Sequence, residues 1–136
     1  MNKILEQAQN IKNDIVEYRR TIHENPEVGD TLPKTKAYVI NKLREFGYEP
    51  TEICESGIVA TIEGPKPGKT FLLRADMDAL PMEETPNCEF AATNGAMHSC
   101  GHDMHTAMLL GAAKLLKQNQ DQIEGTVKLV FQPDEE

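Results

Sequence analysis

The spacing of apolar residues changes along this chain, and the change limits the folds that the chain can adopt. Over the first 22 residues, apolar side chains recur every three or four positions, which predicts one apolar stripe along a helix. The stripe consists of Ile4, Ala8, Ile11, Ile15, Tyr18 and Ile22. Asn25-Pro26 predicts the end of this helix, because proline disfavours helical geometry in the residue before it.

A second helix is predicted to begin near Asp30 or Thr31, with Pro33 in its first turn and Gly47 at its end. Its inward-facing side chains are predicted from their spacing. They are Ala37, Ile40 and either Leu43 or Phe46.

Shorter apolar runs follow, and their composition predicts strands. Residues 49–54 and 57–62 form two short candidates, and the glycines and prolines of 64–68 predict a turn after them. The next candidate, 69–75, contains Phe71-Leu72-Leu73. Such a continuous apolar run is typical of a strand that is buried on both faces.

The second half of the chain alternates a long irregular segment with one more helix and one more strand. Residues 76–103 show little periodicity, and a segment of that length in a compact domain is usually functional or mobile. Residues 106–118 predict a buried helix and residues 126–131 a strand. Strands separated by a helix favour a partly parallel sheet, so the sequence predicts an α/β fold in one domain.

Composition excludes several classes of function. The net charge of −8 argues against a nucleic-acid-binding protein, which needs a basic face. The N-terminus lacks the apolar core of a signal peptide, and no run of about 18 apolar residues predicts a membrane span. Three widely spaced cysteines do not form a disulfide framework, which favours a reducing, cytoplasmic location.

Residues 98–105 contain three of the four histidines and one of the three cysteines. If 98–102 is extended, His98, Cys100 and His102 project to the same side of the chain. Thiolate and imidazole groups suit transition ions such as Zn, Ni, Co and Mn. A following helix start offers N–H groups that favour a thiolate. Each residue alone is better explained as an ordinary buried or surface residue, but the combination favours a metal site.

Two pairs of carboxylates follow predicted strands. Asp76 and Asp78 come after 69–75, at the kind of strand end where α/β proteins form their sites, although turns and helix caps also favour aspartate. Such a carboxylate can bind a metal or orient a ligating histidine. Glu135 and Glu136 point to opposite sides if extended, so one is predicted to bind the metal and the other to take a proton from water. A charged loop is the alternative.

Four blocks of the sequence together resemble the M20 metallopeptidase family, in its amidohydrolase branch. This branch includes hippurate hydrolases, N-acetyl-diaminopimelate deacetylases and hydrolases of indole-acetyl amino acids. The blocks are residues 19–27, 73–81, 97–105 and 125–136. The resemblance implies a layered αβα catalytic domain of the zinc-peptidase type, with helices on both faces of the sheet.

The resemblance also implies roles for individual residues. Cys100, His102 and Glu136 match metal ligands, and Glu135 matches the general base. Asp78 matches the catalytic aspartate of a His-x-Asp block whose histidine position is Asp76 here. Either Asp103 or His102 takes the place of a bridging aspartate, and this alternative stays open. The implied cofactor is a pair of divalent transition ions: Zn, Mn, Ni or Co.

Family members are much longer than this chain. The resemblance therefore implies that residues 1–136 form the N-terminal part of a catalytic domain. Two further histidine ligands and a lid domain that also dimerises are expected in the rest of the protein. The whole enzyme would hydrolyse the amide bond of N-acyl amino acids or small peptides as a homo-oligomer, without nucleic-acid or membrane partners, and the chain alone would be inactive.

The sequence supports three hypotheses of function. The first is the amidohydrolase that the resemblance implies. The second is a non-catalytic metal-binding or interaction fragment, and the third is a redox-responsive protein that uses Cys100 as a reactive thiol. Arg20 and His23, in the first block, are expected to be structural residues at a helix end near the site.

Overall fold

The computed structural model describes residues 2–136, which contain four α-helices and one mixed sheet of four strands. The helices are α1 (Lys3–Asn10), α2 (Lys12–His23), α3 (Pro33–Glu45) and α4 (His102–Gln118). The strands are β1 (Thr51–Ile53), β2 (Gly57–Glu63), β3 (Lys66–Asp76) and β4 (Glu124–Gln132), and a short 3₁₀ turn spans Gln120–Gln122. The α/β prediction is confirmed.

The sheet has the order β1-β2-β4-β3. β1 pairs with β2 and β2 with β4 in antiparallel fashion, whereas β3 and β4 run parallel with Asp76 opposite Gln132. The partly parallel sheet is therefore confirmed. Because parallel strands end at the same edge, the segments that follow β3 and β4 leave the sheet side by side.

The predicted first helix is divided in two. The chain breaks at Ile11 (φ −99°, ψ 10°), which is only 7% exposed, between α1 and α2. α1 has no buried residues, and Ile4 is 44% exposed. Ile11, Tyr18 and Ile22 of the predicted stripe are buried, and Ile15 packs against the core, whereas the residues of α1 stay outside it.

Helix α3 agrees with the prediction at both ends, with Pro33 in its first turn and Gly47 just past its end at φ 96°. The inward-facing residues agree with the prediction except at one position. Leu43 is fully buried and Ile40 packs against the core, but Ala37 is exposed and Val39 is fully buried instead. The buried positions follow a spacing of four, which places the larger valine rather than the alanine against the core.

The core lies against one face of the sheet. Along β2, Ile58, Ala60 and Ile62 are buried, while Thr61 and Glu63 are exposed, which is the alternation of a half-buried strand. Leu129 and Phe131 of β4 are fully buried in the same cluster, together with Leu110 of α4.

Strand β3 is more exposed than its sequence predicts. Phe71 and Leu72 are each 60% exposed and Leu73 is 41% exposed, so the prediction of a strand buried on both faces is wrong for this structure. The physical reason is position. β3 lies at an edge of the sheet, where β4 is its one partner strand among residues 2–136.

Candidate metal centre

Cys100, His102 and Glu136 lie together in the folded chain. Each offers one ligand atom, and these atoms are all within 4.8 Å of one another. Cys100 ends the long segment after β3, His102 begins α4, and Glu136 follows β4. The parallel pairing of β3 and β4 brings these separate parts of the chain to one edge of the sheet.

His102 is the centre of the arrangement. Its side chain is 3% exposed, and Nδ1 donates a hydrogen bond to the backbone oxygen of Asp78 at 2.9 Å. Nε2 is therefore the nitrogen with a free lone pair. It lies 3.4 Å from Glu135 Oε2 and 3.6 Å from Glu136 Oε1, and 3.7 Å from Asp76 Oδ2.

Asp78 holds the two glutamates in place. Its carboxylate is buried, and Oδ2 accepts hydrogen bonds from the backbone N–H groups of Glu135 (3.0 Å) and Glu136 (3.1 Å). Oδ1 is 3.4 Å from His102 Nδ1. These contacts give Asp78 a positioning role, and the catalytic role that the sequence resemblance implies stays a prediction.

The extended-chain argument predicts that Glu135 and Glu136 point to opposite sides, but in the structure they do not. Asp134 has a positive φ of 53°, so the chain turns just before the pair. Both carboxylates then reach the same nitrogen of His102. Residues 134–136 lie beyond the end of β4 and outside any strand, and alternation holds only for an extended backbone.

The predicted preference of Cys100 for the thiolate form is not seen. A hydrogen bond with Glu136 and the negative charge of the same carboxylate raise the pKa of the Cys100 thiol, and the charges of Glu135 and Asp76 act in the same direction. The anionic surroundings of this exposed thiol therefore outweigh the helix start. Such surroundings instead suit a cation, whose charge would favour the thiolate.

The donor set fits a divalent transition ion. Thiolate, imidazole and carboxylate are the ligand types of zinc sites, in which ligand atoms about 2.1 Å from the ion at tetrahedral angles are about 3.4 Å apart. The separation of 3.6 Å between His102 Nε2 and Glu136 Oε1 is close to that value. The hydrogen bond from His102 Nδ1 to a backbone carbonyl is the outer contact that ligating histidines normally make.

His98 does not project with Cys100 and His102. Gly101 adopts φ 88° and α4 starts at His102, so 98–102 is not extended. The His98 ring is buried, and within residues 2–136 neither of its nitrogens has a hydrogen-bond partner. Burial lowers the pKa of His98 to about 4, so the ring is neutral near pH 7. The predicted grouping of His98 with the ligands is wrong.

Asp103 belongs to a separate buried cluster. It is fully buried, and its Oδ2 accepts hydrogen bonds from Arg19 Nε (2.8 Å) and His23 Nδ1 (2.7 Å). His23 Nε2 lies 3.0 Å from Glu84 Oε1. Asp103 thus takes no part in the metal-ligand groups of the described chain. The structural role expected for His23 agrees with these contacts. Glu84 was not foreseen, because it lies in a segment without periodicity.

A second group adjoins the first. His105 Nδ1 lies 2.7 Å from Asp76 Oδ1, and the His105 ring stacks on that of His102 with centroids 5.7 Å apart. Burial tends to raise the pKa of Asp76, but the hydrogen bond from His105 and the nearby His102 lower it overall. The histidine-rich segment 98–105 indicates a metal site in this region, but the sequence analysis gives His105 no role of its own.

Comparisons with known proteins find similar peptidases and amidohydrolases. Residues 72–136 match the sequence profile of peptidase family M20/M25/M40. A thermostable carboxypeptidase 2 from Saccharolobus solfataricus is 48% identical over 139 aligned positions, covering 100% of this chain and 35% of that protein. An N-acyl-L-amino acid amidohydrolase from Geobacillus stearothermophilus is 43% identical over 128 positions, covering 93% of this chain and 35% of that protein.

Solved structures show the same fold. The Bacillus subtilis YXEP protein, a dinuclear metal-binding peptidase from the M20 family, superposes with a TM-score of 0.87 at 37% identity, covering 92% of this chain and 36% of that one. The chain thus spans about a third of the length of the relatives it matches.

Within residues 2–136, no helix combines the length and the apolar character that a membrane crossing requires.

Proposed function

We propose that this chain belongs to peptidase family M20/M25/M40, whose sequence profile matches residues 72–136, and that the whole protein is a metal-dependent amidohydrolase acting on N-acyl amino acids or small peptides. The observation that carries the proposal is the approach of Cys100, His102 and Glu136 to within 4.8 Å, with Glu135 beside them. The names of the relatives support the substrate class. Residues 1–136 would supply the first part of the catalytic domain.

We assign the metal-binding role to Cys100, His102 and Glu136. A bound divalent ion supplies a Lewis acid that polarises the amide carbonyl and activates water near neutral pH. The resemblance expects two ions, with two further histidine ligands in the part of the family sequence that this chain does not span, and the dinuclear Bacillus subtilis relative supports that number. Zn, Mn, Ni and Co all suit this donor set.

Glu135 acts as the general base. Its carboxylate is 40% exposed and lies 3.4 Å from His102 Nε2, so it borders the ligand group without being enclosed by it. From this position it takes the proton of the attacking water and returns it to the leaving amine. Asp78 contributes by fixing the backbone of both glutamates.

The two glutamates provide the test. Glu135→Gln is expected to lower the turnover of N-acetyl and N-benzoyl amino acids by at least about 10²-fold with the metal content unchanged. Glu136→Gln, the matched control at the neighbouring position, is expected to lose bound metal as well as turnover. A whole protein that binds metal without hydrolysing any of these substrates would instead be the non-catalytic binding protein.

The redox hypothesis is less well supported. A reactive cysteine needs a lowered pKa, and the pKa of Cys100 is raised by Glu136. We also propose a cytoplasmic location, because the chain has three free cysteines. We further propose that the whole protein is a homo-oligomer without nucleic-acid or membrane partners. The net charge of −8 supports the exclusion of nucleic acid.

A further inference from the structure

We propose that Asp76, His102 and His105 form a second cation position, the two-histidine site, which shares His102 with the cysteine site formed by Cys100, His102 and Glu136. The ligand atoms of the three residues all lie within 4.8 Å of one another. The inference rests on the proposed function only in that the shared residue is His102. The site would bind a divalent transition ion, since two imidazoles and one carboxylate form a common ligand set for zinc.

The distances between the donor atoms of this group lie on either side of the distance expected between two ligand atoms of one metal ion. His105 Nδ1 is 2.7 Å from Asp76 Oδ1, and His102 Nε2 is 3.7 Å from Asp76 Oδ2. Ligand atoms around a tetrahedral ion are about 3.4 Å apart, so shifts of less than about 1 Å would suffice. The ion would replace the hydrogen bond between His105 Nδ1 and Asp76 Oδ1, and the neutral His105 ring would then carry its proton on Nε2.

The position is open to solvent on one side. The His105 side chain is 49% exposed, whereas Asp76 and His102 are 8% and 3% exposed. His105 and Asp76 line a cavity of about 420 Å³ together with Arg74, Met108 and other residues. An ion can therefore reach the buried carboxylate past the exposed imidazole.

Arg74 is the positive charge that opposes a cation here. Its Nη1 lies 3.3 Å from Asp76 Oδ2, and its Nε donates to Gln132 Oε1 at 2.6 Å. Arg74 therefore contacts Asp76 Oδ2, the oxygen that faces His102, whereas Asp76 Oδ1 contacts His105. Removing this charge is expected to strengthen the two-histidine site.

The two sites exclude each other. Both use His102 Nε2, because Nδ1 donates to the backbone of Asp78. One lone pair binds one ion, so His102 serves either site but not both at once. The protein can consequently hold an ion on His102 when the Cys100 sulfur is not available as a ligand.

Cobalt distinguishes the sites, because only a thiolate ligand gives the sulfur-to-cobalt charge-transfer absorption. We would titrate the whole protein with Co²⁺ and follow this band together with the ligand-field bands. Cys100→Ser is expected to lose the charge-transfer band but to keep one Co²⁺. Adding His105→Ala to Cys100→Ser is expected to weaken that Co²⁺ at least tenfold. Adding Arg74→Gln instead is expected to tighten it several-fold.

Two controls separate the possible results. Met108→Ala in the Cys100→Ser background removes a neighbour in the same cavity and is expected to leave Co²⁺ affinity unchanged. His105→Ala alone is expected to keep the charge-transfer band. Loss of all Co²⁺ binding in Cys100→Ser, or no effect of His105→Ala in that background, would overturn the two-histidine site and leave the proposed function intact. A wild-type protein without the band would instead contradict the cysteine site.

Discussion

His23 and Asp103 are 80 residues apart in the sequence, yet the imidazole Nδ1 lies 2.7 Å from the buried carboxylate Oδ2. The other ring nitrogen faces Glu84 at 3.0 Å. The ring therefore lies between two carboxylates from different parts of the chain. His23 thereby ties α2 to the first turn of α4 and to the segment that leads to Cys100.

Replacing His23 by alanine is expected to lower the free energy of unfolding by about 3 kcal/mol, because it removes the buried imidazole that contacts the carboxylates of both Asp103 and Glu84. Urea denaturation measures the change. Lys12→Ala, at an exposed position of the same helix, is the control and is expected to change stability by less than about 0.5 kcal/mol. If His23→Ala lost no more stability than the control, the stabilising role of His23 would be contradicted.

Asp78→Asn is expected to weaken metal binding at the cysteine site by about 10–100-fold, the usual effect of removing an outer partner of a metal ligand. The reason is that Asp78 Oδ2 accepts from the backbone of both Glu135 and Glu136. Competition with a chromogenic chelator gives the affinity. Asp121→Asn, a change of the same chemistry at an exposed position, should have no effect; equal affinities in the two variants would refute the positioning role.

His98 is expected to make stability depend on pH. Its pKa is lowered from 6.5 to about 4 by burial, so between these values the unfolded chain binds more protons than the folded one. Stability is therefore retained above about pH 6.5 and falls as the pH drops toward 4, by about 3 kcal/mol in total from this group. The difference in unfolding free energy between wild type and His98→Leu, measured from pH 7 to pH 4, should change by this amount. A constant difference would show that His98 does not titrate in this way.

The exposed face of β3 is expected to drive self-association of the chain of residues 1–136. Phe71 and Leu72 are each 60% exposed on an edge strand, and such edges pair readily with other chains. Phe71→Lys should increase the monomer fraction in sedimentation velocity experiments. Thr61→Lys adds the same charge on β2 and should not. If both variants or neither increase the monomer fraction, the β3 edge is not responsible.

The sequence predicted the order of helices and strands well, because periodicity is a local property that these elements retain in the fold. It misplaced His98, because one left-handed residue, Gly101, turns the chain between His98 and His102. It overestimated the burial of Phe71, because burial depends on which strands flank β3. It missed Glu84, whose partner His23 is 61 residues away and is brought close only by the packing of α2 against the loop.

The parallel register of β3 and β4, with Asp76 opposite Gln132, has a thermodynamic consequence. The donors from the two strand ends become neighbours only once the sheet has formed, so capture of an ion and folding are linked equilibria. A free ion at a hundredfold excess over its dissociation constant would add about 2.7 kcal/mol to the stability. The melting temperature of this protein should therefore serve as a gauge of free metal concentration.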